Sequence, residues 1–319
     1  MLDHPPAAVI TPMAELFQKR AVAAEYACRR QPGDRIPLDL LEVRRIIGDF
    51  TRGDYILLCG GDDIDPSSFA LNLMMSASRH FALMAVTDMP LYFTLAKSAR
   101  RIGDRAVSIL TDIRTQHLTT GHMAETDFEK IAAVSRIGAN GLSYRVVDAA
   151  GLDTETLRRQ ARSHAGETGG CGMIVVDTLD MVRTGLSERA AAQAEISRTL
   201  KEIAKETDSV VIGLASLPSL SSPPTLKDIR QAGYATREAD IVASLFCEQH
   251  WLERDEPHRR PGEEEDVFDQ RYSGWRSRFE EVYNTCQLTI LAHVHGRCGV
   301  ARLHWEAESG LVANRDHRV

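Results

Sequence analysis

The residues best suited to chemistry lie in one loop that joins a short apolar run to an amphipathic segment. A phosphate-binding loop reads G-x-x-x-x-G-K-[ST] between a strand and a helix. Gly60 fits its first glycine, with Gly61 directly after it, and Ser67 fits its hydroxyl. Asp65 stands where the second glycine belongs, and Pro66 stands where the lysine belongs. The loop therefore has the spacing of a phosphate site without its charge.

Both substitutions work against binding a triphosphate. A phosphate loop turns successive N–H groups toward the phosphates and adds a lysine charge, whereas Pro66 has neither a charge nor an N–H donor. Asp62, Asp63 and Asp65 add up to three negative charges. Like charges about 4 Å apart repel by roughly 1 kcal/mol in water and by several times more in a partly buried site. We therefore expect this loop to repel ATP.

An aspartate followed by a proline is also a common helix start. Asp is a favoured N-cap and Pro a favoured first helical residue, so Asp65 and Pro66 predict a helix that is capped by its own carboxylate. An alternative is that Asp62, Asp63 and Asp65 bind a divalent cation through their oxygen atoms. We favour the capped helix, because acidic loops are often merely solvated.

Strand-like and helix-like segments alternate along the chain, which predicts an α/β fold with a mainly parallel, twisted sheet and helices on both faces. Strands are predicted over residues 55–59, 81–86, 144–148, 171–177, 209–215, 287–292 and 300–305, and helices over 91–102, 104–118, 126–137, 153–165 and 188–207. Asp177 ends the clearest strand, where nucleotide hydrolases hold magnesium. An aspartate there can equally be a helix or turn cap.

Composition narrows the class of protein. The 319 residues suffice for one large α/β domain with appendages or for two small domains. A net charge of -7 argues against a generally basic nucleic-acid surface. Six scattered cysteines without a C-x-x-C pair, and an N-terminus without signal-peptide features, indicate a cytoplasmic protein. The most apolar region is interrupted by charges, so we expect no membrane span.

Two segments lie outside the α/β pattern. We interpret residues 1–35 as an N-terminal segment whose amphipathic helix, from Pro12 to Arg30, packs either on its own domain or on a neighbouring subunit. Residues 36–319 then form the α/β domain, in which a highly charged insertion over 253–281 is expected to be a solvated or partly disordered flap.

Histidines and cysteines near the C-terminus invite a metal-site interpretation. Cys286, His293, His295 and Cys298 are close in sequence. Their spacing fits no common zinc pattern, so we predict no metal site.

The order of these pieces resembles the C-terminal, RecA-like motor domain of the replicative DNA helicase DnaB, from about Ile36 to Asn314. The resemblance implies a RecA-like P-loop NTPase fold. The most specific matches are F-A-L-N at 69–72, D-T-L-D-M at 177–181 for the family's D-Y-L-Q-L/M, I-S-R-T-L-K-E-I-A-K-E at 196–206, L-K-D-I-R-Q-A-G at 226–233 for L-S-D-L-R-E-S-G, and E-A-D-I-V at 238–242 for D-A-D-V-V. Because the resemblance begins near Ile36, we expect the family's N-terminal primase-interacting domain to be absent.

The departures from the family fall on positions that do chemistry. Its S-L-E-M, whose glutamate activates the attacking water, matches V-T-D-M here, so that Asp88 replaces the glutamate and is one methylene shorter. Ser216 replaces a glutamine that senses the γ-phosphate. Ala292 and Val294 replace the lysine and arginine of the segment that reaches into the neighbouring subunit's nucleotide. An arginine finger alone is worth a factor of roughly 10³ or more in rate.

The sequence therefore predicts a catalytically inactive DnaB-like protein that neither binds nor hydrolyses ATP and acts in DNA replication as a scaffold or regulator. Its expected partner is a second copy or an active DnaB-type helicase. Binding to single-stranded DNA is doubtful, because the loop over 218–224 has no Lys or Arg and is shorter than the family's basic loop. The candidate interface residues are Leu16, Phe17, Tyr26, Asp228, Arg230 and Gly233.

Two alternatives stay open. One is an ATP-driven DNA helicase with magnesium and a divergent site, to which Ser67, Asp88 and Asp177 would contribute. The other is a nucleotide-binding module without hydrolysis, which requires another cation in place of the missing lysine. No Lys or Arg lies between Gly53 and Ser78, so the loop and its helix offer no such cation.

Overall fold

A computed structural model describes residues 11–28, 35–61, 64–140, 142–218 and 220–315. The helices are α1 (Met13–Cys28), α2 (Leu41–Ile47), α3 (Pro66–Leu83), α4 (Ala99–Thr111), α5 (Thr115–Thr120), α6 (Glu125–Asn140), α7 (Thr154–Thr168), α8 (Arg189–Glu206), α9 (Leu226–Gln231), α10 (Glu248–Arg254) and α11 (Glu265–Val282). The strands are β1 (Arg35–Ile36), β2 (Phe50–Thr51), β3 (Tyr55–Gly60), β4 (Leu91–Thr94), β5 (Arg145–Asp148), β6 (Leu152–Asp153), β7 (Met173–Asp177), β8 (Val182–Arg183), β9 (Val210–Ser216), β10 (Ile241–Phe246), β11 (Thr285–His293), β12 (Gly299–Glu306) and β13 (Leu311–Asn314). Within these ranges, no helix is both long and apolar enough to cross a membrane.

One nine-stranded sheet organises the chain, in the order β13-β12-β11-β10-β3-β9-β7-β4-β5. The six strands from β10 to β5 run parallel, and β11, β12 and β13 extend this sheet antiparallel beyond β10. The prediction of an α/β fold with a mainly parallel sheet is confirmed. Since parallel neighbours share one direction, the ends of β3, β9, β7 and β4 meet at one edge, called here the carboxyl edge.

Both faces of the sheet are buried, as expected for a parallel sheet covered by helices. Ile56 and Leu58 of β3 belong to one apolar cluster with Met74 of α3. Tyr55 and Leu57 alternate to the other face and join a second cluster with Leu200 of α8. The continuous apolar runs in the sequence thus reflect burial on two sides rather than on one.

The stretch between the loop and β4 differs from the sequence prediction. The strand expected over 81–86 is wrong, because α3 continues to Leu83 and buries Met74, Ala77 and Phe81 on one face at helical spacing. The helix expected over 91–102 is also wrong over its first residues, which form β4. A short, fully buried apolar run does not reveal by periodicity whether it is helix or strand.

The charged insertion forms helices rather than a partly disordered flap, although most of its side chains are exposed, as predicted for a solvated segment. α11 carries a row of aromatic rings whose centroids lie 5.9 Å apart from Phe268 to Tyr272, 5.5 Å from Tyr272 to Trp275 and 5.3 Å from Trp275 to Phe279. Trp275 Nε1 donates a hydrogen bond to the Leu252 carbonyl of α10 at 3.0 Å. Aromatic packing at i, i+3 and i, i+4 therefore orders a segment whose charges suggested solvation.

A buried ionic group ties α8 to the start of β3, at the edge opposite the carboxyl edge. Asp240 accepts hydrogen bonds from the Tyr55 N–H at 2.7 Å and from Lys201 Nζ at 2.6 Å. Lys201 also donates to the Gly53 carbonyl at 2.9 Å. Burial, followed by repulsion from Asp240, raises the pKa of Asp54 to about 6. The charged form of Asp54 therefore opposes folding.

We expect Asp54→Asn to stabilise the fold at pH 7 by on the order of 1 kcal/mol, after allowance for the partial exposure of the side chain. The folded-state pKa of about 6 exceeds the ordinary value of 3.8. The contribution of Asp54 to stability is therefore fully present below pH 3.8 and is lost as the pH rises to about 6. Urea unfolding of both chains between pH 4 and pH 8 measures the difference. A difference that stays constant across that range would contradict this role for Asp54.

Candidate functional site

The loop after β3 leads into α3 through the predicted cap. Asp65 accepts a hydrogen bond from the Ser67 N–H at 3.2 Å and another from Ser68 Oγ at 2.8 Å, and Pro66 is the first helical residue. The self-capped helix is confirmed. The N–H group that a phosphate would use at this helix start is therefore already bonded to a carboxylate.

The ring of Pro66 lies close to the backbone of Gly60 in the loop. A Cβ atom on Gly60 would lie 2.6 Å from a ring carbon of Pro66, so only glycine fits there. Gly61 follows at the mouth of the loop. Asp62 and Asp63, which the cation alternative needs, lie outside the described residues.

A lysine from a distant segment reaches the loop. Lys97 follows β4, and its Nζ lies 2.7 Å from Asp65 Oδ1 and 2.7 Å from Ser67 Oγ. Burial alone would raise the pKa of Asp65, but the charge of Lys97 and the hydrogen bonds from Lys97 and Ser68 lower it. Asp65 is therefore a charged, paired cap, and the loop has the cation that its own sequence lacks.

Nothing in the local sequence indicated that Lys97 would reach this loop. Thirty positions separate it from Ser67. β4 is separated from β3 by β7 and β9 in the sheet. Knowledge of the strand order in the sheet could have pointed to Lys97, because residues that follow parallel strands lie together at the carboxyl edge.

Asp88 lies at the other edge of the sheet, so its assignment to the glutamate position is wrong. It precedes β4 and forms an ion pair with Arg52, whose guanidinium lies 5.9 Å from the centre of the Phe81 ring. The residues that follow β4 are Thr94-Leu95-Ala96-Lys97. None of these four residues is a carboxylate, and Ala96 has no acid or base group.

Asp177 ends β7 at the carboxyl edge, as the sequence predicted. Its Oδ2 accepts a hydrogen bond from the Tyr92 hydroxyl at 2.8 Å, and both side chains are buried. Burial and the neighbouring Asp177 charge raise the pKa of Tyr92. The hydroxyl therefore stays protonated and satisfies a carboxylate that would otherwise be buried without a partner.

Ser216 ends β9 next to Gly60 and is part of a second tyrosine contact. The Tyr234 hydroxyl accepts a hydrogen bond from the Ser216 N–H at 3.1 Å and donates to Asp180 Oδ2 at 2.5 Å. Burial and the Asp180 hydrogen bond raise the pKa of Tyr234. The backbone N–H of Ser216, which replaces the family's γ-phosphate-sensing glutamine, thus contacts the hydroxyl of a buried tyrosine.

Ala292 and Val294 lie far from the loop of their own chain. β11 runs antiparallel to β10, so its last residues pair with the first residues of β10 at the edge opposite Gly60. Val294 is 64% exposed. Cys286 and Cys298 lie at opposite ends of the β11–β12 hairpin, and nowhere in the described residues do three possible metal ligands meet.

The candidate interface residues fall into two groups. On α1, Leu16 and Phe17 are exposed, whereas the side chain of Tyr26 lies outside the described part of the chain.

The second group has local structural roles around α9. Asp228 forms a capping box with Thr225, accepting its N–H at 2.8 Å. Arg230 Nε donates to Thr236 at 3.1 Å. Gly233 has a φ of 93° and lies against Arg189, so a side chain there would be strained.

Comparison with known proteins agrees with this geometry. The family model for the DnaB-like helicase C-terminal domain matches residues 36–313. The chain is 26% identical over 300 residues to the replicative DNA helicase DnaB of Rickettsia conorii, covering 89% of this chain and 58% of that protein. It is 29% identical over 224 residues to the replicative DNA helicase DnaC of Bacillus subtilis, covering 68% of this chain and 48% of that protein.

Two solved structures share the fold. One, described as an ATPase domain, superimposes with a TM-score of 0.73 at 20% identity and covers 93% of this chain and 98% of its own. A DnaB-like replicative helicase, described with its interactions with primase, gives a TM-score of 0.72 at 19% identity over 98% of this chain and 68% of its own. This chain spans little more than half the length of its Rickettsia relative. On the match over residues 36–313, it belongs to the family of DnaB-like helicase C-terminal domains.

Proposed function

We propose that this chain is a member of the family that has lost ATP binding and hydrolysis and keeps the fold for protein contacts. The observation that carries the proposal is that both groups expected to hold magnesium have internal partners. Ser67 Oγ contacts Lys97 Nζ at 2.7 Å, and Asp177 Oδ2 contacts the Tyr92 hydroxyl at 2.8 Å. A nucleotide with magnesium would have to displace a cation from one and a buried hydroxyl from the other.

Hydrolysis of ATP also requires a general base and an arginine finger. Ala96 cannot activate water, because it has no acid or base group. Ala292 and Val294 have no charge to stabilise a transition state in a neighbouring site. The alternative interpretation, an ATP-driven helicase, must therefore replace both the general base and the arginine finger, which makes it less supported than an inactive protein.

Protein contact is the function that the surface favours. α1 exposes 62% of Met13, 38% of Leu16, 68% of Phe17 and 48% of Val22. A short helix with exposed apolar side chains gains stability by packing on a partner. We assign that partner to a second copy or to an active DnaB-type helicase. Because the relatives are named replicative helicases, we place this role in DNA replication and in the cytoplasm.

One observation favours a second candidate, a nucleotide-binding module without hydrolysis. Lys97 supplies a cation within 2.7 Å of Ser67, and the sequence alone had argued against this candidate for want of such a cation. For Lys97 to serve a phosphate it must leave Asp65, whose carboxylate would then face the same phosphate. The inactive scaffold therefore remains the first candidate.

Nucleotide binding separates these candidates. We expect no detectable heat when the natural chain is titrated with ATP or ADP and magnesium at about 1 mM, which corresponds to a binding free energy weaker than about -4 kcal/mol. Asp65→Gly with Pro66→Lys should gain measurable affinity, because it removes one negative charge and restores a lysine. Glycine at an N-cap costs only a few tenths of a kcal/mol, so the variant should fold. Micromolar binding by the natural chain would overturn the proposal.

Association tests the proposed role of α1. Phe17→Asp should weaken association with a second copy, or with the DnaB-type helicase of the same organism, at least about tenfold, because a charge replaces an exposed apolar side chain at the contact. Gln18→Asp, the same charge change at the next position, is the matched control. Sedimentation of each chain alone and in the mixture measures both. A natural chain that associates with neither partner, or equal losses in both variants, would contradict a contact through this face.

A further inference from the structure

A cavity lies beside the loop and is lined in part by Ser67 and Lys97, and its arginines have no role in the proposed function. It encloses about 330 Å³, within the range of small-molecule pockets. Its walls come from the start of α3, from Lys97 and from the facing sides of α4 and α5. The charged side chains that line it are Asp65, Lys97, Arg101, Asp104 and Arg105.

The two carboxylates in this lining already have partners. Asp65 pairs with Lys97 at 2.7 Å, and Asp104 lies 4.0 Å from Arg100, which is outside the cavity. Arg101 and Arg105 form no ion pair with these acids, although the charge of Arg105 helps to lower the pKa of Asp65. The charge in the cavity that has no ion-pair partner is positive.

The arginines also have unused donors. In the described part of the chain, the guanidinium of Arg101 has no hydrogen bond and no ion pair. Arg105 uses only Nη1, at 3.4 Å from the carbonyls of Ala307 and Glu308. Each guanidinium offers five N–H donors in a fork that suits phosphate or carboxylate oxygens.

Their spacing on α4 gives a second reason to expect an anion. Arg101 and Arg105 are four residues apart and line the same cavity. Like charges at this spacing destabilise a helix by a few tenths of a kcal/mol. An anion between them would reverse that repulsion. Thr115 and Thr119 of α5, also four apart, line the facing wall, where their hydroxyls donate to the Glu308 and Gln116 carbonyls and keep oxygen lone pairs that can accept.

We propose that this cavity binds a small phosphomonoester, with its phosphoryl group between Arg101 and Arg105. A phosphoryl group offers three terminal oxygens and up to two negative charges, which matches two guanidinium groups better than the two oxygens of a carboxylate do. Thr115 and Thr119 then face the rest of the molecule. The phosphoryl group is placed on side chains of α4 rather than on the backbone of the loop, although Ser67 lines the same cavity.

Titration with ribose 5-phosphate and with inorganic phosphate, at constant ionic strength and followed by ³¹P NMR, tests the proposal. We expect saturable binding of both, and Arg101→Gln should weaken it at least about tenfold, the loss of one charge-assisted bidentate contact. Arg198→Gln makes the same charge change at an exposed site of α8, on the other face of the sheet, and should leave the affinity unchanged.

Three outcomes would overturn the proposal. The first is a natural chain without saturable binding. The second is an equal loss in the Arg101 and Arg198 variants, which would mean nonspecific attraction. The third is displacement of phosphate by acetate at equal concentration, which would make the ligand a carboxylate. If ATP also binds, loss of that binding in Arg101→Gln assigns it to this cavity, whereas retention assigns it to the loop.

Discussion

A carboxylate that caps its own helix is the constraint from which the rest of this site follows. The N-terminus of α3 carries a partial positive charge, and Asp65 neutralises it where an anionic ligand would otherwise do so. Lys97 then binds the cap rather than a phosphate. The ion pair is about one-third exposed, so it is worth at most about 1 kcal/mol. The proposed loss of triphosphate binding therefore rests on the fixed pair of Asp65 and Pro66 rather than on the position of the lysine.

Two tyrosines contact carboxylates near the carboxyl edge. Asp177 is buried there, where a carboxylate without a partner would be costly, whereas Asp180 is exposed and also pairs with Arg189. Tyr92 and Tyr234 each donate a hydrogen bond to one of them. The Tyr92 phenol satisfies the buried Asp177 without bringing charge, and the proposed loss of the magnesium ion rests in part on this contact.

Two regions of the surface, the insertion after β10 and the cavity beside α4, are not explained by the candidate nucleotide site. The insertion after β10 forms α10 and α11 through aromatic contacts of its own. The cavity between α3, α4 and α5 brings two arginines beside the loop that Asp65 caps. These are separate regions, since the first follows β10 and the second lies around α4. Each can therefore change without disturbing the strand ends that hold Asp177 and Ser216.

The sequence by itself determined most of the parallel sheet, because β3, β7 and β9 are continuous apolar runs that only two buried faces explain. It also determined the cap, since Asp65 and Pro66 act through the backbone of their own neighbours. It did not locate β4, whose four buried residues show no apolar periodicity, so Asp88 was expected beside the loop although it lies before β4 at the opposite edge.

Only the tertiary structure decided which distant side chains meet at the loop. Lys97 contacts Ser67 because parallel strands that are far apart in sequence end at one edge. Tyr234 contacts Ser216 from a position eighteen residues later, across the turn that follows α9. The local sequence specifies each helix or strand through the backbone preferences of its residues and the period of its apolar side chains. Contacts between the ends of elements depend on strand order, which no local pattern encodes.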